Sequence, residues 1–250
     1  MIELVDICKS FSDGNVNETL LFDKFNFKVE KGDFVSLIGS NGSGKTTLLN
    51  LITGTIDADS GKIMLDGKDI TRQKEFVRAK RIGRVFQDPK SGVANAMTVA
   101  ENMSLAHNKG NFYGLSSGIS KKNLDYYREL LSEAGLGLED KLNVQMGALS
   151  GGQRQAISLI MATMTPVDIL VLDEHTSALD PKTVDGIMAL TDRIIREKNL
   201  TALMVTHNLR SAFQYGNRLC MMKEGKVALD IRGQEKEKMP ISELLRLFNE

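Results

Sequence analysis

The segment Gly39-Ser40-Asn41-Gly42-Ser43-Gly44-Lys45-Thr46-Thr47 stands between an apolar run, Phe34 to Ile38, and an apolar-periodic run, Thr47 to Ile52. That order reads as strand, glycine-rich turn, helix. The spacing fits G-x-x-x-x-G-K-[ST], the loop that cradles phosphates. Glycines at 39, 42 and 44 let the backbone take conformations barred to other residues and bring its N–H groups close to an anion. The following helix aims its N-terminal donors and partial positive charge at the same place. In this reading Lys45 reaches the β- and γ-phosphates and Thr46 sets its hydroxyl on Mg²⁺.

The 250 residues are 42% hydrophobic and 26% charged, which suits one large domain or two small ones. Lys plus Arg equals Asp plus Glu at 32 each, so a broad nucleic-acid footprint is disfavoured. Cys8 and Cys220 lie far apart and read as reduced, packed thiols. Met1-Ile-Glu-Leu-Val-Asp has no basic segment followed by an apolar one, so no signal peptide is expected. No apolar run approaches the roughly 18 residues that cross a bilayer.

Ile2 to Cys8 and Phe25 to Val29 alternate as half-buried strands, with a turn at Asp13 to Asn17. Phe11, ahead of the phosphate loop, is either a platform for an adenine ring or a core residue. Asp66-Gly67 marks a hairpin within 62–70. The basic stretch Arg72 to Arg84 is expected to be a solvated helix face. Ile82 to Phe86 reads as a short strand ending at Gln87. Thr98-Val-Ala-Glu101 is a capping box. A loop at 108–120 and a helix at 121–134 follow, so residues 88–164 read as a helical insertion. Leu149-Ser-Gly-Gly-Gln153 opens another helix. Ile169-Leu-Val-Leu-Asp173-Glu174 is a continuous apolar run closed by two carboxylates, as in a strand buried on both faces. Asp180-Pro181 caps the next helix, and Thr201 to Thr206 is a buried strand ending at His207. The pairs around Glu224-Gly225 close the sheet. Residues 233–250 form an amphipathic tail whose Leu244, Leu245, Leu247 and Phe248 are expected to pack on the frame.

Strands alternating with helices around a phosphate loop predict an α/β fold with a mostly parallel sheet covered on both faces. Ligands of such sheets bind at the carboxyl ends of strands. Lys45, Gln87, Asp173, Glu174 and His207 all fall just past a strand end. Asp173 is placed to hold Mg²⁺ through water, and Glu174 to orient or deprotonate an attacking water. Gln87 is placed to bond both the metal shell and that water, and His207 to contact a γ-phosphate. Ser150, Gly151 and Gly152 form a second anion-binding helix start, one more than a single phosphate site needs.

The phosphate loop, Gln87, Leu149 to Gln153, Ile169 to Glu174, Ser177-Ala-Leu-Asp180 and His207 stand in the order and rough spacing of an ABC-type ATPase. The resemblance runs from Phe11 to about residue 231. It implies one P-loop NTPase unit, with residues 1–87 and 165–232 as nucleotide-binding core and antiparallel β subdomain. Residues 88–164 become the helical subdomain and 233–250 a C-terminal tail helix. It implies ATP and Mg²⁺ as ligands and a head-to-tail homodimer. In that dimer Ser150, Gly151, Gly152 and Gln153 of one subunit complete the γ-phosphate site of the other, and Asp180 acts across the interface.

One departure stands out: the family usually has Pro after the catalytic Glu, and here it is His175. Asp-Glu-His-Thr-Ser-Ala-Leu-Asp-Pro is similar to a bacterial subgroup of importer ATPases, some of which accompany binding proteins for tryptophan or tyrosine. Were an imidazole at 175 to titrate beside the base, hydrolysis would depend on pH near neutrality; the role of His175 is left open by the sequence. The resemblance implies separate transmembrane permease subunits, an extracellular substrate-binding protein and a place on the cytoplasmic face of the membrane. Val144 to Ala148 stands where exporters often carry an acidic Gly-Glu-Arg-Gly stretch, which leans toward import. The alternatives are a soluble ABC ATPase acting on ribosomes or DNA, and a module that holds ATP without turnover. A double cassette or a long coiled-coil insertion, usual in the former, does not fit 250 residues. Glu174 and His207 argue against the latter.

Overall fold

A computed structural model describes residues 1–12, 18–110 and 118–249. The turn expected at 13–17, and most of the loop expected at 108–120, lie outside them. The chain begins with β1 (Ile2–Ser12), β2 (Glu18–Val29), β3 (Phe34–Gly39), α1 (Lys45–Thr53), β4 (Ser60–Leu65) and β5 (Lys68–Asp69). It continues with α2 (Glu75–Arg78), β6 (Ile82–Val85), α3 (Val99–His107), α4 (Lys121–Glu133) and α5 (Gly151–Thr163). Then come β7 (Ile169–Asp173), α6 (Pro181–Glu197), β8 (Thr201–Val205), α7 (Leu209–Gln214), β9 (Arg218–Lys223) and β10 (Lys226–Arg232). The last elements are α8 (Gly233–Lys238) and α9 (Ile241–Asn249), parted by Met239-Pro240.

Among the described residues the strands form two sheets, ordered β2-β1-β4-β5 and β10-β9-β3-β8-β7-β6. The first is antiparallel. In the second, β9, β3, β8, β7 and β6 run parallel, and β10 pairs antiparallel at one edge. Every residue of β3, β7 and β8 is buried, as expected of mainly apolar strands in the middle of a covered sheet. Helix α1 lies between the sheets: Leu48, Leu49, Leu51 and Ile52 share a core with Phe22, Phe25 and Phe27. Phe22 and Phe25 stack at 4.5 Å. On the opposite face α3, α4, α5 and α6 share a second core with Leu170, Leu172, Ala202 and Met204. Alternation along β9 sends Cys220 and Met222 toward α1, and Leu219 and Met221 toward α7 and α9.

Local signals translate directly. Thr98 and Glu101 form the expected capping box at α3. Asp180 caps α6 by accepting from Thr183 N at 3.1 Å, with Pro181 behind it. Asp66 (φ 48°) and Gly67 (φ 73°) make the tight turn between β4 and β5. Cys8 and Cys220 are free thiols.

The basic stretch 72–84 departs from expectation. Only α2, four residues long, is helical there. Arg78 is 2% exposed, and its guanidinium donates to the carbonyls of Leu51, Ile52, Thr71 and Gln73. Arg81 pairs with Asp66 and Asp168, and Arg84 points into the protein. These arginines tie loops to the core rather than coat a surface. In the tail, Leu244 is buried against α7 and β9 while Leu245 is exposed, so Leu245 does not pack as expected.

Candidate functional site

Two glycines shape the loop between β3 and α1. Gly39 has φ 153°, and a methyl there would lie 2.3 Å from Met222 O. Gly44, at φ 103°, is the N-cap of α1, and a methyl there would strike the Phe22 ring at 2.8 Å. No side chain caps α1 and no acidic residue stands in its first turn. Its leading N–H groups therefore face outward with their partial positive charge. Lys45 Nζ donates to Gly39 O and Ser40 O, both at 2.8 Å. Burial draws its pKa down, and the nearby Glu174 and Asp173 carboxylates oppose that shift. Ser43 Oγ is buried without a hydrogen-bond partner.

Strands β7 and β8 are parallel neighbours, with Asp173 opposite Val205. Each ends at the same edge, so Glu174 and His207 emerge side by side. Glu174 adopts φ 46°, a left-handed conformation uncommon for a side chain of this size, and its N–H donates to Val205 O. Its Oε1 lies 2.6 Å from His207 Nε2. A carboxylate only accepts, so the proton of this bond sits on Nε2. The Glu174 side chain is 12% exposed and that of His207 40%, so the pair reaches from the interior to solvent.

Phe11, Asn41, Gly42, Gly44, Lys45, Thr46, Thr47, Glu174 and His207 line one cleft of about 340 Å³. Phe11 is 42% exposed, with Lys9 Nζ 5.5 Å from its ring centre, so it is not a core residue. Gly39, Ser40, Ser43 and Asp173 do not line it; Gly39 O and Ser40 O hold Lys45, and Asp173 pairs with Arg84 while its charge acts on Lys45. Gln87 is exposed just past β6 and does not line this cleft. Ser150, Gly151, Gly152, Gln153 and Asp180 are also absent from its lining. They gather on a surface of their own. Ser150 Oγ accepts from Gln153 N, and Gln153 Oε1 accepts from Ser150 N. Methyls at Gly151 and Gly152 would meet Leu179 and Thr183, which flank Asp180. The Thr183 hydroxyl holds the Asp180 carboxyl below its ordinary pKa.

The donor set suits a phosphate-borne hard cation. Among the described residues no three His, Cys, Asp or Glu side chains cluster as metal ligands. A metal at Thr46 and Asp173 would take its remaining ligands from phosphate oxygens and water, which is the habit of Mg²⁺.

His175 settles on the side of packing. It is 1% exposed and turned away from the cleft, with Nε2 3.1 Å from Thr191 Oγ1 on α6. The Thr191 hydroxyl already donates to Ile187 O, so it accepts from His175. Burial pushes this imidazole down to about 4. It therefore stays neutral around pH 7 and supplies no titration there. Arg84, passed over as surface charge, is the residue the motifs missed. Its position inside the apolar strand Ile82 to Val85, three residues before Gln87, was the available signal.

Residues 22–177 match the ABC transporter family. The chain belongs to that family. Its members hydrolyse ATP, and this ABC protein carries their ATP-binding unit. It is 46% identical over 99% of its length to 98% of the tyrosine transport ATP-binding protein of Clostridioides difficile. The dimeric ATP-binding cassette MJ0796 bound to ADP and Pi superposes with TM-score 0.79 at 29% identity, covering 93% of this chain and 98% of that one. CbiO1 from Clostridium perfringens, part of the transporter complex cbiONQ, gives TM-score 0.79 at 26% identity over 99% of this chain and 94% of that one. The expected α/β ABC cassette is the fold found.

Proposed function

We propose that this chain is the ATP-hydrolysing subunit of a bacterial importer for an aromatic amino acid of the tyrosine class. The observation that carries the ATPase reading is the Glu174–His207 pair standing over the Lys45 loop in one cleft. The likeness to a tyrosine transport ATP-binding protein across nearly the whole chain supports the solute. Among the described residues no helix is long and apolar enough to cross a membrane, so separate permease subunits provide the path. A substrate-binding protein delivers the solute, and the chain sits at the cytoplasmic face.

Phe11 stacks on the adenine. Gly39 to Thr47 wrap the phosphates with backbone N–H groups, and Lys45 leaves its two carbonyl partners for the β- and γ-phosphates. Thr46, Asp173 and Gln87 would hold Mg²⁺, which would neutralise phosphate charge. Glu174 orients and deprotonates the attacking water, and His207 steadies Glu174 and meets the γ-phosphate. Ser150 to Gln153 of a second copy close over that phosphate, with Asp180 at the seam. Closure of the dimer and its reopening after hydrolysis drive the permease through the segment after Gln87. Residues 88–164 act as the helical subdomain, 1–87 and 165–232 as the nucleotide-binding core with its β subdomain, and 233–250 as the tail.

Purification of the tagged protein from detergent-solubilised membranes of its source tests this reading. A multi-spanning permease and a binding protein that takes tyrosine are expected to accompany it. Ribosomal proteins or DNA in their place would sink the importer and leave the ATPase standing.

A further inference from the structure

Resting on Asp173 as the metal-side carboxylate, we propose that Arg84 is a positioning residue that both orients Asp173 and weakens its hold on the metal. The Arg84 side chain is 13% exposed, a position that an unpaired guanidinium would not tolerate. Its Nη2 donates to Asp173 Oδ2 at 3.1 Å and to Asn50 Oδ1 at 2.9 Å. Its Nη1 donates to the hydroxyls of Thr53 and Thr55 at 3.2 and 3.0 Å. Nε is buried with no hydrogen-bond partner.

This one planar group thus pins the Asp173 carboxylate to the far end of the phosphate-loop helix. It also joins a second path. The guanidinium lies 4.6 Å from the centre of the Phe86 ring, and Phe86 O accepts from Gln155 Nε2 at 3.1 Å. Gln155 is on α5, the helix that Ser150 caps, and Gln87 follows Phe86 in the chain.

Two consequences follow from the chemistry. Holding Oδ2 fixes the plane of the carboxylate and leaves Oδ1 for a metal-bound water. The guanidinium charge also repels a cation and partly neutralises the carboxylate, so it lowers metal affinity. Arg84 therefore trades metal affinity for geometry. A merely structural arginine would not separate those two quantities.

Mn²⁺ titration of the ADP-loaded protein, read by electron paramagnetic resonance, tests this beside steady-state ATPase kinetics. Arg84→Met keeps an unbranched buried stem and removes the guanidinium. It is expected to bind Mn²⁺ about three- to tenfold tighter, with kcat down about tenfold and KM for ATP unchanged. Arg84→Lys restores the charge without the fork, so Mn²⁺ affinity should return toward wild type while kcat stays low. Melting curves verify that each variant is folded, and Arg84→Lys carries the test if Arg84→Met is not. Unchanged or weaker Mn²⁺ binding in folded Arg84→Met, or wild-type kcat in folded Arg84→Lys, overturns the proposal. Asp173→Asn separates the layers. If it leaves Mn²⁺ affinity unchanged, the metal reading of Asp173 falls and takes this one with it. If it weakens Mn²⁺ while Arg84→Met does not tighten it, Arg84 alone is wrong.

Discussion

His207 Nε2 and Glu174 Oε1 share a hydrogen bond of 2.6 Å, although the residues lie on different strand ends and 33 positions apart. The bond fixes one carboxylate oxygen and leaves the other for water. If Glu174 is the proposed base, it loses its function when either partner changes, while the proposed nucleotide contacts of the loop opposite remain. Glu174→Gln is therefore expected to lower kcat by about 10²–10³-fold while still binding ATP. Size-exclusion chromatography with ATP should show that variant accumulating as a dimer. Turnover at the wild-type rate would falsify the assigned base.

Lys45 spends its donors on Gly39 O and Ser40 O, at the back of the loop. In the proposed complex, phosphate oxygens replace those carbonyls with charge. Hydrogen bonds to charged groups contribute about 1.5–3 kcal/mol each, so Lys45→Ala should weaken ATP binding by roughly 10²-fold. Fluorescent-nucleotide titration reads this directly. Wild-type affinity in a folded Lys45→Ala protein would remove Lys45 from the phosphate site.

Phe11 stands at the cleft mouth, half exposed. Stacking of a base on an aromatic ring is worth about 1–3 kcal/mol, and exposure places Phe11 at the low end. Phe11→Ala is expected to raise KM for ATP about fivefold with kcat unchanged, and Phe11→Tyr to restore it. A kcat loss at constant KM would move Phe11 out of the adenine site.

His175 makes a prediction about stability rather than rate. Its pKa is about 4 in the folded chain and near 6.5 when unfolded. The unfolded chain therefore binds the extra proton first as pH falls below 6.5. Stability contributed by neutral His175 is whole above that value and drains away toward pH 4. The loss amounts to about 2 kcal/mol at pH 5 relative to pH 7.5. Urea unfolding of wild type and His175→Gln at both pH values isolates it: the wild type should lose about that much more than the variant. An equal loss in both would mean that His175 is not buried neutral. The pH–rate profile near neutrality should be the same in both proteins.

The phosphate loop, the strand ending in Asp173-Glu174 and the capping box at Thr98 were legible because each is a local pattern with a local cause. Glycine spacing, an apolar run and a residue pair three apart need no knowledge of distant contacts. The arginines were not legible in that way. Arg78 is buried because carbonyls at 51, 52, 71 and 73 converge on it, and that convergence exists only after folding. The direction of His175 was equally hidden. Its backbone follows Glu174, yet the side chain answers to Thr191 on the helix packed behind. Spacing carries no direction, so it was the family resemblance and not the pattern itself that turned Ser150 and Asp180 away from their own chain's Lys45 cleft, whose lining they do not join.

In the sheet order, β8 lies between β3 and β7. The strand that delivers His207 is thus a spacer without which the phosphate loop and Glu174 do not share a wall. About 160 residues separate Thr47 from His207, and at the usual pace of synthesis the growing chain spends roughly 10–30 s with the loop made and that strand missing. Throughout that interval the nascent chain lacks the strand that sets Glu174 beside the phosphate loop.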